Sequence, residues 1–314
     1  MTCLLNLFPQ SLAVIAAAVN PSDLSEGELL ARYPAVAIVA IVLLSLGLVC
    51  DLYLLFRVTR SSRSGPPTAD ASWPRIEPKP WGLDDLLIAI GALALAWLIV
   101  DGLTFGVIKL AHAQPDDETA LPWVLSIEML LRIGMLFGFV RFFRHRHIDW
   151  GEAVGLRRKP PLRAIAVGGV FFLAVLPPVA AVFVVYAKFC SLVGIEDTPQ
   201  PIADLMATSD SAIVVGLIAV FAVIVAPVFE EFFFRGFAYP ALKQRWGIWP
   251  SLLLVSAAFA LIHLHLPSFG PLFALAVGFG LAYEFTGSLL APITMHALFN
   301  AANVAMLVYI RSRS

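Results

Sequence analysis

Apolar positions along the chain come in long uninterrupted runs rather than in alternation. The first runs from Tyr33 to Phe56, the second from Leu83 to Ile108 and the third from Trp123 to Phe143. Arg163 to Phe189 is the fourth, with Pro177 and Pro178 inside it, and Ser211 to Phe234 the fifth. Two shorter runs follow, Trp249 to Leu266 and Pro271 to Phe285, before the last, Leu289 to Ile310. A helix of about 20 apolar residues spans the hydrocarbon core of a bilayer. The absence of a two-residue period argues against a membrane β-barrel. The pattern therefore predicts an all-α fold, a polytopic transmembrane helical bundle of about eight spans. The proline pair predicts a kink in the fourth.

Polar stretches divide these runs. Thr59 to Pro80 is rich in Ser, Pro and Arg and reads as an irregular loop. Arg141 to Arg163 carries Arg141, Arg144, Arg146, Arg157, Arg158, Lys159 and Arg163. The positive-inside rule makes both cytoplasmic, together with Lys243 and Arg245, and leaves the N-terminus outside. The opposite loops, Ala111 to Leu121 and Ser191 to Asp210, are acidic. Eight spans put the C-terminus outside as well, although it carries Arg311 and Arg313. Either the charge bias is violated there or one short span is re-entrant. Met1 to Asn20 lacks a basic start and reads as an interfacial or re-entrant helix rather than a signal peptide. The polar groups inside spans concentrate late in the chain, which sets a boundary near Arg163. Residues 1–162 form a membrane region of about three spans with basic cytoplasmic loops, and residues 163–314 form the functional domain.

Composition sharpens the membrane reading. The 314 residues are 60% hydrophobic and 14% charged, with mean hydropathy +0.86, where soluble domains are nearer half apolar and a quarter charged. A net charge of -1 provides no field for nucleic acid. The three cysteines, Cys3, Cys50 and Cys190, form neither a metal knuckle nor a disulfide framework.

Ionisable residues within membrane helices are costly and are functional candidates by default. The fifth run ends Ala226-Pro227-Val228-Phe229-Glu230-Glu231-Phe232-Phe233-Phe234-Arg235-Gly236. Adjacent helical residues point about 100° apart, so the two carboxylates face different ways. Glu231 and Arg235 have the i, i+4 spacing of an ion pair. Glu230 is left without a partner in sequence and suits general-base work on water. Phe259 precedes His263 by one turn, and His296 precedes Asn300 by one turn. An imidazole can move protons near neutral pH. An imidazole beside an amide can donate to an oxyanion. Together these residues supply a hydrolytic site that needs no side-chain nucleophile. Each piece alone has an ordinary reading as helix-to-helix glue; the conjunction on three helices favours a site. Glu128 and Arg132, at i, i+4 in the third span, read as a structural pair. Asp101 reads as interfacial, Glu284 as facing the bundle, and His265 as incidental. A transporter would call for inverted repeats, and none is visible.

Glu-Glu-x-x-x-Arg, then Phe-x-x-x-His, then His-x-x-x-Asn resembles the CPBP family of intramembrane proteases over Ile202 to Val308. That family includes CAAX endoproteases and bacteriocin-processing and self-immunity proteins. The resemblance implies Glu230 as the catalytic glutamate, with His263 beside it, and His296 with Asn300 on the oxyanion. It makes Glu231 and Arg235 a supporting pair and Phe259 a packing aromatic. No cofactor is required on this reading. Zinc is the open possibility, with Glu230, His263 and His296 as the three ligands if the reaction is metal-dependent. The implied substrate is a membrane-associated protein or peptide, of the prenylated class in the CAAX branch, within the lipid bilayer; the style of the chain, rather than the resemblance, points to a bacterial inner membrane. The alternative is a non-catalytic membrane scaffold or self-immunity protein of the same fold.

Overall fold

The computed structural model describes residues 34–63, 76–110, 120–157, 160–196 and 198–312. The expected helix at Met1 to Asn20 and most of the acidic loop after Ile108 lie outside the described residues. All regular structure among the described residues is helical: α1 Pro34–Arg63, α2 Leu83–Leu110, α3 Leu121–His145, the short α4 Trp150–Ala153, α5 Pro161–Leu192 and α6 Pro201–Thr208. A continuous helical rod, α7, covers Ala212–Trp246, followed by α8 Ile248–Leu261, α9 Phe269–Thr286 and α10 Leu290–Arg311. Seven of these segments are long and apolar enough to cross a membrane, and α8 is a shorter apolar helix. Large apolar side chains face outward, as a lipid solvent permits, among them Leu98, Phe105 and Phe137.

Three expected boundaries are corrected. The fifth span continues as helix beyond Phe234 to Trp246. Hydropathy marks where the apolar run stops, whereas the helix continues because its polar residues find partners. Lys243 is no loop residue: it pairs with the fully buried Glu284 of α9 and donates to the Ile76 carbonyl at 2.8 Å. Tyr239, one turn earlier, donates to the same carboxylate at 2.6 Å. Gly247, at φ 78°, then reverses the chain into α8. Likewise α1 extends to Arg63, beyond the predicted start of the loop at Thr59.

The sixth span is helical only to Leu261, not Leu266. Fourteen residues at 1.5 Å each rise about 21 Å, less than the roughly 30 Å hydrocarbon core. The remaining distance is covered by non-helical chain. Leu266 accepts from Tyr186 Oη near the far end of α5 at 2.9 Å, so α8 and its continuation do traverse the bundle. The termination has a local cause. His263 Nδ1 bonds the Phe259 carbonyl at 2.8 Å, the acceptor that the backbone N–H of residue 263 would use in a longer helix.

Crossing order follows from the contacts at the two ends. On the basic face, the loop after α4 docks on the turn before α10, where Leu289 N donates to Val154 O at 3.1 Å. Gly155, at φ 75°, lies so close to the Gly287 carbonyl oxygen that a Cβ would overlap it. At the opposite face, Arg311 Nη2 lies 3.7 Å from Asp210 Oδ1. The last helix thus ends beside residues 191–210, and its terminal cation is matched by a local carboxylate. Of the two explanations for Arg311, the charge bias is the one that gives way.

Aromatic packing orients α7. Phe232 and Phe237 meet Phe139 and Phe143 of α3, while Trp81 stacks on Phe237 at 5.7 Å and donates Nε1 to its carbonyl at 3.0 Å. With that side of α7 committed to α3, the acidic residues turn toward α8, α9 and α10.

Candidate active site

The carboxylates lie between two π-helical stretches of α7, Phe221–Val225 and Phe232–Ala238. Each stretch ends two residues before a proline, Pro227 or Pro240. A proline clashes with the carbonyl four residues back and lacks an N–H, and widening the turn relieves the clash. At the first stretch, the Ala226 N–H bonds the Phe221 carbonyl. The next residue, Pro227, has no N–H to give. The Ala222 carbonyl thereby loses both of its helical donors, and Asn300 Nδ2 of α10 fills the position at 2.7 Å. Asn300→Ala is expected to leave that carbonyl unpaired and to cost about 1–3 kcal/mol of stability. Pro227→Ala in the same protein restores an N–H and should recover about 1 kcal/mol. Thermal unfolding of the four proteins of this cycle in detergent measures the coupling, and strict additivity would rule it out.

Glu231 is completely buried and serves as a hub. Its Oε1 accepts from Arg235 Nη1 at 2.9 Å and from His296 Nδ1 at 2.9 Å. Arg235, also buried, extends Nη2 to the Ala276 carbonyl of α9 at 2.8 Å. Its guanidinium lies 4.8 Å from the Phe259 ring centre and 5.1 Å from that of Phe279, a contact that suits a planar, weakly hydrated cation. His296 stacks on Phe279 at 4.9 Å and meets Phe259 edge-on at 5.7 Å. Phe259 thus touches both Arg235 and His296, and its ring lies 5.0 Å from that of His263.

Glu230 points elsewhere, as the 100° offset requires. Its Oε2 is buried with no hydrogen-bond partner and lies 3.9 Å from His296 Nε2. Both imidazoles are anchored through Nδ1, His296 on a carboxylate and His263 on a backbone carbonyl. Those partners only accept, so Nδ1 carries the proton in each ring and Nε2 is left for other work. Glu230, His263, His296 and Asn300 all line one half-open cavity of about 840 Å³. No hydrogen bond joins Glu230 to His263 among the described residues. Gly236 packs against Leu289 at the basic end of the bundle. Glu230 lies six residues farther in, about 9 Å deep.

The three residues that would serve as zinc ligands are Glu230, His263 and His296. Among the described residues no three His, Cys, Asp or Glu are grouped closely enough to hold a metal ion. His265 bonds Ser268 Oγ at 2.8 Å and Thr198 Oγ1 at 3.2 Å, tying the α8–α9 connection to the loop before α6. Glu128 and Arg132 form the expected pair, and Arg132 also lies over Phe221 at 4.6 Å and reaches the cavity. The carbonyls of Ala222 and Ala276 and the ring of Phe279 were not readable as site components. Pro227 was the available signal for the first, through the donor it removes.

A bundle of membrane-crossing helices in which Glu230, His263, His296 and Asn300 line one cavity defines an integral, multi-pass membrane protein with a polar site among its helices. Residues 212–302 match the family model described as Type II CAAX prenyl endopeptidase Rce1-like, consistent with the CPBP resemblance. At the level of that family, the match supports a CAAX-type intramembrane protease with a membrane-associated substrate. No curated protein and no solved structure compared with the chain gives a match.

Proposed function

We propose that the protein is an intramembrane endopeptidase that hydrolyses a peptide bond of a lipidated protein or peptide, with water as the nucleophile. One observation carries the reading: the buried Glu230 Oε2, unpaired on the wall of the cavity shared with His263, His296 and Asn300. An unpaired buried carboxylate oxygen is expensive, and a water held there would satisfy it.

Glu230 takes a proton from that water as its oxygen attacks the substrate carbonyl carbon. His263 Nε2 orients the water or relays its proton. The carbonyl oxygen becomes an oxyanion. Asn300 contributes the second hydrogen of Nδ2, the first being used on Ala222, and His296 contributes Nε2 when its ring carries both protons. The proton held by Glu230 passes to the departing amine as the C–N bond breaks, returning the carboxylate to its starting form. Glu231 and Arg235 position His296 rather than touch substrate. The apolar cavity wall suits a lipid-bearing substrate, since no hydration need be stripped from its chain.

The test compares membrane proteomes from cells expressing the wild type or Glu230→Ala, with peptide ends mapped by mass spectrometry. New termini that depend on Glu230 are the expected result. Identical sets of ends, with both proteins folded and at equal level, count for a non-catalytic scaffold.

A further inference from the structure

The outward face of α3 carries cations that no described residue neutralises. Trp123, Leu130, Phe137, Arg141, Arg144 and His145 are all exposed. At 100° per residue their side chains leave the helix within a sector of about 100°. Gly134 lies in the same sector and Gly138 beside it, and a Cβ added to either would meet nothing within 4 Å. No helix of this chain therefore covers that part of the face. Two carboxylates at this end are already taken, Asp85 by Arg146 and Asp149 by Arg157. Among the described residues the side chains of Arg141, Arg144 and His145 have no hydrogen bond or ion pair. The α3 C-terminus beside them carries about half a negative charge, which offsets only part of two guanidinium charges.

The dimensions of the face are those of a bilayer. Trp123 and Arg141 are five helical turns apart, so they point the same way at a separation of about 27 Å. That is close to the roughly 30 Å hydrocarbon core, and tryptophan favours the interface. The two residues thus mark opposite interfaces on one face of α3. Leu130 lies about 16 Å from Arg141 along the helix, roughly the depth of one leaflet. An apolar stripe one leaflet deep that ends on two guanidinium groups complements a phospholipid, since guanidinium groups bind phosphate oxygens through paired hydrogen bonds. A zwitterionic lipid brings its own cation to the same place, whereas an anionic one leaves the phosphate to the arginines. A second copy of the chain is the competing occupant. Copies inserted in one orientation are related by an axis along the membrane normal. Pairing through this face would bring Arg141 and Arg144 toward their own counterparts, and like charges repel.

We propose that the outward face of α3 binds an anionic phospholipid of the surrounding bilayer, with its phosphate on Arg141 and Arg144 and one acyl chain along Phe137, Gly134 and Leu130. The site lies outside residues 212–302 and does not depend on the endopeptidase reading. Other residues of α3, Phe139 and Phe143, pack on Phe232 and Phe237 of α7. The lipid therefore stands behind the helix that orients the carboxylates. The full chain is placed in nanodiscs of phosphatidylcholine with a minority of phosphatidylglycerol of the same acyl chains. Each lipid in turn carries a photoreactive diazirine midway along one chain, and crosslinked residues are mapped by mass spectrometry.

Phosphatidylglycerol is expected to label Leu130 to Phe137 at least about tenfold above its share of the bilayer, because each cation at the surface favours an anionic lipid about fivefold. Arg141→Gln combined with Arg144→Gln should bring that enrichment toward one. Arg141→Lys combined with Arg144→Lys keeps both charges and should retain most of it, which separates loss of charge from a folding defect. Arg245→Gln removes an exposed cation at the same end of the bundle but off α3, and should leave the enrichment unchanged. Labelling at the bulk share in the parent protein overturns the site, as does enrichment that survives the glutamine pair. Loss in the lysine pair as complete as in the glutamine pair also overturns it. An equal loss in Arg245→Gln overturns it in favour of a diffuse surface potential. Absence of α3 labelling by either lipid overturns it in favour of a second copy on that face.

Discussion

Glu230→Gln is expected to lower kcat for peptide hydrolysis by about 10²–10⁴-fold, the usual contribution of a positioned general base, while KM changes little. Glutamine keeps the volume and one carbonyl oxygen, so the cavity wall is preserved and only the proton acceptor is lost. The choice of residue is critical. Glu231→Gln would also remove activity, but by releasing both Arg235 and His296, and it would lower stability at the same time. Glu230 has no such structural debt, since its Oε2 has no hydrogen-bond partner in the fold. Unfolding of Glu230→Gln in detergent should therefore occur at or slightly above the parent temperature. Single-turnover cleavage of a farnesylated peptide together with a melting curve separates the outcomes. Full activity in Glu230→Gln removes the proposed mechanism, whereas loss of activity together with loss of folding would move Glu230 into the supporting framework.

The second large effect falls on stability. Arg235→Leu leaves Glu231 fully buried beside His296 without its cation, and breaking one side of a buried pair costs about 3–5 kcal/mol. In a marginally stable protein that is enough to deplete the folded fraction in detergent. Arg235→Lys keeps the charge but gives up the planar fork that reaches Ala276 and lies between Phe259 and Phe279, so a partial loss is expected. The informative protein is the double variant Glu231→Gln with Arg235→Leu. Removing both charges should recover most of the stability, because a neutral pair carries no desolvation penalty. Activity should stay low, since His296 Nδ1 no longer meets a carboxylate. A double variant as unstable as Arg235→Leu alone would show that the arginine acts through packing rather than through charge. Recovery of activity with stability would show that His296 needs no anchoring.

These expectations turn on a hub that was half legible. The i, i+4 spacing identified Glu231 with Arg235 and left Glu230 over, and the pair stands at 2.9 Å. The same spacing argument could not see that Glu231 holds His296, 65 residues away, with the same oxygen. Spacing on one helix reports only contacts along that helix. Asn300 was read as a free oxyanion donor, yet one of its hydrogens serves the Ala222 carbonyl. The cause lies in a π turn, whose register hydropathy does not encode, although Pro227 marks the place. The first three spans had no readable role. In the folded chain α2 and α3 form a wall of the cavity, and α3 carries Arg132 into it.

By itself the sequence determined the all-α membrane class, the approximate positions of the spans and the motif residues, of which Glu230, Phe259, His263, His296 and Asn300 line one cavity. Each of these is written locally, in runs matched to bilayer thickness and in one-turn spacings along a helix. Tertiary structure alone decided which carboxylate became the buried hub and which kept an unpaired oxygen. It also decided where α7 and α8 stop, and which polar groups from distant helices line the cavity beyond the cluster. The physical reason is common to all of these. In a medium without water every buried polar atom must find its partner within the protein, and across helices the partner is set by packing.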